Sequence, residues 1–283
     1  MSAKSLSKKI EKVVWRDTLD SLDERGKARL VEAAQPHVMD YLEALPTDGT
    51  SFSNEVIRGD IEYRLMKRVT EQGQMCTNKS CKASLDGFGS HALNCPTGSH
   101  HAYVHNVLRD HIYEVLKEAK LPNVGLENKD YFTDPERRVD VTSSMEDGKE
   151  LVLDITGTSP EQTKLIETAA RDNASSSLAL ALSNKEKQYA KLTPLRPFKV
   201  TYPLFSLLGA LDNTYASLIK RNVRRAAELN EDPEWERRRF AFTKISVLIL
   251  IHRQRAISFQ NRSHTDDSRR RNPRRNGRRT RNC

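Results

Sequence analysis

The chain has 283 residues, of which 37% are hydrophobic and 30% are charged. That length suffices for one or two domains, but the low hydrophobic share predicts a modest core with solvated flanks. The longest apolar run is too short to cross a membrane, and the N-terminus lacks an apolar signal region, so membrane and secreted proteins are disfavoured. We therefore expect an intracellular protein whose cysteines stay reduced.

The net charge of +9 is concentrated at the C-terminus. Residues 269–281 contain eight of the 47 basic residues, and without them 39 basic residues face 38 acidic ones. The tail, 263–283, cannot bury apolar surface and is predicted to be disordered. We expect Arg269, Arg270 and Arg271 to contact nucleic-acid phosphates or to form part of a nuclear address. The alternative is a solvated tail with no specific role.

Hydrophobic spacing divides the chain into five segments. They are a helical segment (1–70), a cysteine-rich segment (71–100), a core (101–230), a C-terminal helix (231–262) and the tail. Within them, apolar periodicity and turn residues predict helices over 1–45, 54–68, 101–120, 160–191, 207–228 and 233–258, with a break at 46–49. Strands are predicted over 124–131, 137–142, 150–156 and 198–204, the second and third forming a hairpin around 146–148. A strand that returns after a crossover helix predicts an α/β fold with a mixed sheet flanked by helices.

Three of the four cysteines cluster with one histidine in the second segment. Cys76, Cys81, His91 and Cys95 have the spacing Cys-x4-Cys-x9-His-x3-Cys. Thiolates and an imidazole are the ligands of structural zinc, and a segment with few apolar residues needs such a source of folding energy. We therefore predict a structural Zn²⁺ site here, with His100 and His101 as alternative ligands. Reduced cysteines beside a surface histidine are the other interpretation.

Two acids interrupt the apolar runs of the predicted hairpin. Asp140 follows Val139, and Asp154 follows Leu153. Buried carboxylates need partners, and neighbouring antiparallel strands can bring two of them to one Mg²⁺ ion. The alternative is a pair of structural acids, with Asp154 bound to Arg137 or Arg138.

The order of these motifs resembles one known family. Gly89–Cys95 and Val104–Asp110, followed by Arg138-Val139-Asp140 and a second acid at Asp154, are similar to the C-terminal region of non-LTR retrotransposon proteins that carry a restriction-like endonuclease. Those proteins have a CCHC zinc knuckle after the reverse transcriptase, then an Arg-His-Asn element, an Arg/Lys-Pro-Asp motif and a further acid. The resemblance implies a PD-(D/E)XK nuclease core preceded by a zinc knuckle.

The resemblance also assigns roles to residues. It implies that Asp140 and Asp154 hold Mg²⁺. Val139 stands where the family has proline, Val104 where it has arginine, and Thr156 where the superfamily has its lysine. The family's Lys-then-Tyr pattern instead points to Lys185 as the catalytic lysine, with Lys187 and Lys164 as weaker candidates.

Two residues of the helix over 101–120 are further candidates. His105 and Arg109 lie four apart on one face, where they would grip nucleic acid or, alternatively, pack on the knuckle. Glu127 is a candidate third carboxylate or a surface acid.

The function predicted from these features is Mg²⁺-dependent nicking of target DNA. No Tyr-x-Asp-Asp element is present, so we expect a fragment or separated descendant that lacks the polymerase. The expected partners are DNA and element RNA, with no membrane, and the expected location is the nucleus. The rival hypotheses are a nucleic-acid-binding protein without cleavage and a structural zinc protein that binds other proteins.

Overall fold

Helices dominate the N-terminal part of the chain. The computed structural model describes residues 3–44, 51–98, 100–144, 149–162, 165–171 and 176–270. The first segment forms α1 (Ala3–Asp20), α2 (Glu24–Ala33), a 3-10 helix (Asp40–Glu43) and α3 (Asn54–Arg64). The Asp23 side chain accepts a hydrogen bond from the Gly26 amide and thereby caps α2. The predicted break at 46–49 lies outside the described residues.

A mixed sheet follows two further helices. These are α4 (Ser90–Asn94), in the cysteine-rich segment, and α5 (His100–Glu118). The sheet contains β1 (Gly125–Asn128), β2 (Val139–Ser144), β3 (Glu150–Leu153) and β5 (Lys199–Thr201), in the order β1-β2-β3-β5. β1, β2 and β3 pair antiparallel, whereas β5 is parallel to β3. The predicted α/β class with a mixed sheet is confirmed, although the expected turn at 146–148 lies outside the described residues.

Two predicted strands are each divided in the structure. β4 (Thr156–Thr158) follows β3, and β6 (Leu204–Ser206) follows β5; β4 and β6 pair parallel. The two divisions occur at the same level of the sheet. They arise because Pro203 has no amide hydrogen to donate and because the Ile155 amide donates to the Asp140 side chain instead. The Asp154 and Thr156 amides still donate across the gap, each at 3.1 Å, to the carbonyls of Thr201 and Pro203. The division therefore places Asp154 at an irregular point between two paired strands.

The largest core lies between the sheet and three helices. α5 packs there with α8 (Asn213–Asn230) and α9 (Glu234–Arg270). Val141, Leu151 and Leu153 enter this core from the sheet, whereas Val152 belongs to a smaller cluster with Tyr189. Alternate residues of β3 thus face opposite layers, which is why all three residues after Glu150 in this strand are apolar.

The predicted helix over 160–191 was wrong in extent. The structure instead has two helices there, α6 (Ile166–Arg171) and α7 (Ser176–Tyr189). Glu161 does not begin a helix, because its amide donates to Ser159 Oγ in a turn and its carboxylate is buried against Arg29.

α9 continues to Arg270, past the predicted start of the tail at residue 263. No glycine or proline interrupts that stretch, and the next such residue is Pro273. Arg271 and the rest of the tail lie outside the described residues. No described helix is both long and apolar enough to cross a membrane.

Candidate functional site

The hairpin acids meet in one open cleft. The β2–β3 register pairs Val141 with Leu153, and one further step places Asp140 opposite Asp154. Side chains directly opposite on antiparallel strands point the same way, with Cβ atoms about 5 Å apart. Both acids line a cleft of about 420 Å³ whose other walls come from α5, the residues before β2, β4 and α7.

The Asp140 carboxylate is hydrogen-bonded to a histidine of α5 and to a backbone amide between β3 and β4. Its Oδ2 lies 3.1 Å from His105 Nε2 and accepts the Ile155 amide at 2.6 Å. Among the described residues, nothing hydrogen-bonds the other oxygen, Oδ1. Burial raises the pKa of Asp140, but His105, the Ile155 amide and Lys185 outweigh it and hold that pKa below the ordinary value. Asp140 is therefore an ionised carboxylate with one oxygen turned to solvent.

Asp154 is surrounded by donors. Lys185 Nζ lies 2.9 Å from each of its carboxylate oxygens, and Tyr189 donates to Oδ2 at 2.6 Å. Arg137 also donates to Oδ2, at 3.0 Å. Only 8% of the Asp154 side chain is exposed, so these partners stabilise a charge that burial would otherwise destabilise.

The two carboxylates of the cleft differ in how far protein donors occupy them. Asp140 Oδ1 accepts no hydrogen bond from the described residues, whereas both oxygens of Asp154 accept from Lys185. The cleft is open, so water can reach the free oxygen of Asp140.

The two predicted nucleic-acid contacts on α5 have different surroundings. His105 faces Asp140 in the cleft, whereas Arg109 forms ion pairs with Asp110 and Glu127. The alternative in which this helix face packs on the cysteine-rich segment was therefore wrong, because the face turns towards the sheet. Glu127 also pairs with Arg138 and acts as a surface acid between two arginines.

Three residues around the acids were not singled out as site residues from the sequence. Arg137 had been considered only as a structural partner of Asp154, and it does form that contact. Tyr189 follows Lys185 by one helical turn, so the Lys-then-Tyr spacing carried a signal for it. His101, considered as a zinc ligand, instead lines the cleft.

A second site lies in the cysteine-rich segment. One ligand atom from each of Cys76, Cys81, His91 and Cys95 lies within 4.8 Å of the other three. The Cys76–Cys95 sulfurs are 3.6 Å apart, and Cys81 Sγ is 3.5 Å from His91 Nε2. A tetrahedral zinc with ligands at about 2.3 Å (sulfur) and 2.0 Å (nitrogen) separates those atoms by about 3.5–3.8 Å. This group can therefore bind a metal such as zinc, and no other group of three or more such side chains in the described part of the chain is as close.

Hydrogen bonds from outside the group hold its geometry. The Asp86 carboxylate accepts the amides of Phe88, Ser90 and His91, which fixes the start of α4 and presents His91. The amide of buried Gln260, on α9, donates to Cys76 Sγ at 3.4 Å. Such outer contacts orient metal ligands and favour thiolates.

The thiols differ in acidity. Burial raises the pKa of Cys76. At Cys95 burial acts in the same direction, but hydrogen bonds from Thr97, Asn78 and Cys76 lower that pKa to about 6. Cys95 is thus prepared to act as a thiolate ligand at neutral pH.

A buried ion pair connects this segment to the sheet. Arg29 of α2 pairs with Glu161, which follows β4, and both side chains are at most 1% exposed. Arg29 also donates to the Tyr63 carbonyl at 2.6 Å and the Phe88 carbonyl at 2.8 Å, and Tyr63 donates to Glu161 at 2.6 Å. α2, α3, the loop before α4 and the end of β4 are therefore joined by one network.

Comparison with known proteins adds no family assignment. No protein-family model matches the sequence, and no curated protein matches it significantly.

Proposed function

We propose that this chain is the zinc-knuckle and restriction-like endonuclease region of a non-LTR retrotransposon protein and nicks DNA with a divalent cation. The observation that carries the proposal is the contact of Lys185 with both oxygens of Asp154, in a cleft that Asp140 shares. Two acids and a lysine around an open space are the groups that metal-assisted phosphodiester hydrolysis requires.

Each residue of the cleft has a role in this proposal. Asp140 and Asp154 hold the cation, which when bound would lower the pKa of a water and stabilise charge on the scissile phosphate. Lys185 neutralises Asp154 and can donate to the attacking water or to a phosphate oxygen. His105 fixes the orientation of Asp140, while Arg137 and Arg138, at the rim, contact phosphates.

The order of elements supports the nuclease core. In chain order α5 is followed by β1, β2 and β3, and then, after β4 and α6, by α7 and β5. Thr156 stands where the superfamily has its lysine, and Lys185 brings an ammonium group to the same acid from α7. The zinc knuckle of the proposal is the group of Cys76, Cys81, His91 and Cys95, and its Zn²⁺ is structural because all four positions have protein ligands.

The proposal extends to partners and location. DNA is the substrate, element RNA is a second partner, and the nucleus is where the target lies. Arg269 and Arg270 at the end of α9, with Arg271 beyond it, contribute phosphate contacts whose strength falls with salt.

One observation favours a second candidate function, nucleic-acid binding without cleavage. Arg137 and Lys185, two positively charged side chains, are enough to compensate the charge of Asp154. A relic that has lost cleavage would keep such an ion pair because it stabilises the fold.

Nicking of supercoiled plasmid with and without Mg²⁺ separates the two functions. The full chain should convert supercoiled to open-circular DNA only with Mg²⁺, and Asp140→Asn and Asp154→Asn should each abolish that conversion. Asp130→Asn is the matched control, because Asp130 is an exposed acid in the loop after β1. Salt-dependent binding without nicking by the wild-type chain would replace the proposal with the second candidate. A wild-type chain that neither binds nor nicks DNA would contradict both candidate functions.

A further inference from the structure

Two exposed aromatic rings lie next to one arginine and two histidines where α5 begins. Tyr103 is 48% exposed and Phe259, on α9, is 47% exposed. Tyr103 lies 4.2 Å from the ring of His252, and His100 lies 6.1 Å from the ring of Phe259. Arg255 donates to the Tyr103 hydroxyl at 3.4 Å. We refer to His100, Tyr103, His252, Arg255 and Phe259 as the aromatic strip.

No acid is close to the strip in sequence. Between His252 and Phe259, α9 contains no acid and two arginines, of which Arg253 is buried against Asp60. The first ten residues of α5, ending at Arg109, also contain no acid. Burial lowers the pKa of His100 and lowers that of His252 to about 4, so at neutral pH these two rings are uncharged. Arg255 is therefore the cation of the strip.

We propose that the aromatic strip binds single-stranded nucleic acid, with bases stacked on Tyr103 and Phe259 and a phosphate on Arg255. Exposed aromatic rings beside cations are the usual means of holding unpaired bases, because every base has a π-face on which a ring can stack. In a duplex those faces are covered by the neighbouring base pairs. An exposed tyrosine whose hydroxyl is held by an arginine keeps its ring in place at little entropic cost.

The position of the strip connects it to the cleft. His101 and Ala102 line the cleft, whereas His100 and Tyr103 of the same helical turn belong to the strip. The two sites are thus separated by about the 10 Å width of one helix. In so far as this inference rests on the proposed function, the strip would hold the unpaired strand beside the nick; the binding itself does not depend on cleavage.

The test is fluorescence anisotropy of a labelled oligothymidylate of about 16 nucleotides, titrated with the full chain without Mg²⁺. Tyr103→Ala and Phe259→Ala should each weaken binding at least about fivefold, and Tyr103→Phe should retain it because the ring remains. Phe240→Ala is the matched control: Phe240 is 45% exposed on the same helix, about 29 Å from Phe259 along α9, and should bind like the wild type.

Two results would overturn the inference. One is unchanged binding by Tyr103→Ala and Phe259→Ala; the other is an equal loss of binding for a blunt duplex, which would show a role other than base stacking. Plasmid nicking distinguishes this failure from failure of the proposed function. If the wild-type chain never nicks but the variants bind single strands more weakly, the strip is supported and the nuclease is contradicted. Unchanged binding by the variants of a chain that does nick contradicts the strip alone.

Discussion

The ammonium group of Lys185 lies 2.9 Å from both carboxylate oxygens of Asp154, 31 residues earlier in the chain. The contact exists because α7 packs back on the sheet near the point where β3 ends. Tyr189, on the next turn of α7, donates to the same carboxylate and fixes the orientation of the helix. Neither residue is adjacent to Asp154 in sequence, so the arrangement depends on the tertiary fold.

Removing this ammonium group should abolish most cleavage. Lys185→Met should lower the rate of plasmid nicking by roughly 100-fold or more, since a donor aimed at developing charge contributes that much. Asp154 keeps Arg137 and Tyr189 as partners, so the variant should remain folded. Lys187→Met is the control, because Lys187 is exposed on the same helix and should nick like the wild type. Equal rates for the two variants would remove Lys185 from the mechanism.

The cysteine-rich segment should contain one zinc ion per chain. Zinc released by a thiol-modifying reagent and measured with a colorimetric chelator should be stoichiometric in the wild type. Cys81→Ser should lower both the zinc content and the melting temperature, because metal binding supplies folding energy to this segment. Cys283→Ser serves as the control and should retain its zinc. Full zinc content in Cys81→Ser would contradict the proposed ligand set.

The His105–Asp140 pair should stabilise the fold in a defined pH range when no divalent cation is added. Burial lowers the pKa of His105, but the hydrogen bond and charge of Asp140 outweigh it, so that pKa is raised. A histidine whose pKa is raised on folding stabilises the fold at pH values below its pKa in the unfolded chain, about 6.5. This stabilisation is lost as pH rises through its pKa in the folded chain. The lowered pKa of Asp140 stabilises the fold above about pH 3.9 and loses this effect as pH falls through its folded value.

Urea unfolding checks this window. His105→Gln should destabilise the chain more at about pH 5.5 than at about pH 8.5, because the imidazolium is fully formed at the lower pH and is lost as pH rises through the raised pKa. In an Asp140→Asn background the difference between the two pH values should shrink. A cost of His105→Gln that is constant with pH would show that the pair contributes no charge interaction.

The buried pair of Arg29 and Glu161 should contribute far more than an exposed one. Glu161→Gln should lower the free energy of unfolding by about 3–5 kcal/mol, because it leaves a buried guanidinium without its counter-charge. Arg224→Ala, which removes a pair with Glu228 on the surface of α8, should leave the urea midpoint nearly unchanged. Similar midpoints for the two variants would mean that water or another group compensates Arg29.

Some of this site is predictable from local sequence. Asp140 in β2 and Asp154 directly after β3 interrupt apolar runs on either side of a predicted turn, and pairing in a hairpin follows from that pattern alone. The ligand spacing of the cysteine-rich segment likewise predicts which four residues approach one another. Both predictions concern residues that are close in sequence, where spacing restricts geometry.

Other features depend on distant contacts. Glu161 was assigned to a helix because nothing nearby in the sequence indicates that Arg29, 132 residues earlier, binds its carboxylate. The division between β3 and β4 was missed because the Ile155 amide prefers an acid on another strand. The contact of Arg137 with Asp154 was one of the alternatives considered, but no local pattern indicates that Lys185 and Arg137 bind that acid together.

Binding of Mn²⁺, followed by the electron paramagnetic resonance signal of the free ion, tests most directly whether Asp140 and Asp154 hold one divalent cation. Mn²⁺ accepts the same oxygen ligands as Mg²⁺. The wild-type chain and Asp130→Asn should remove one equivalent of Mn²⁺ from solution, whereas Asp140→Asn and Asp154→Asn should each leave that equivalent free. An equal loss of free Mn²⁺ signal in all four proteins would contradict the paired-carboxylate site, and so would no loss in the wild type.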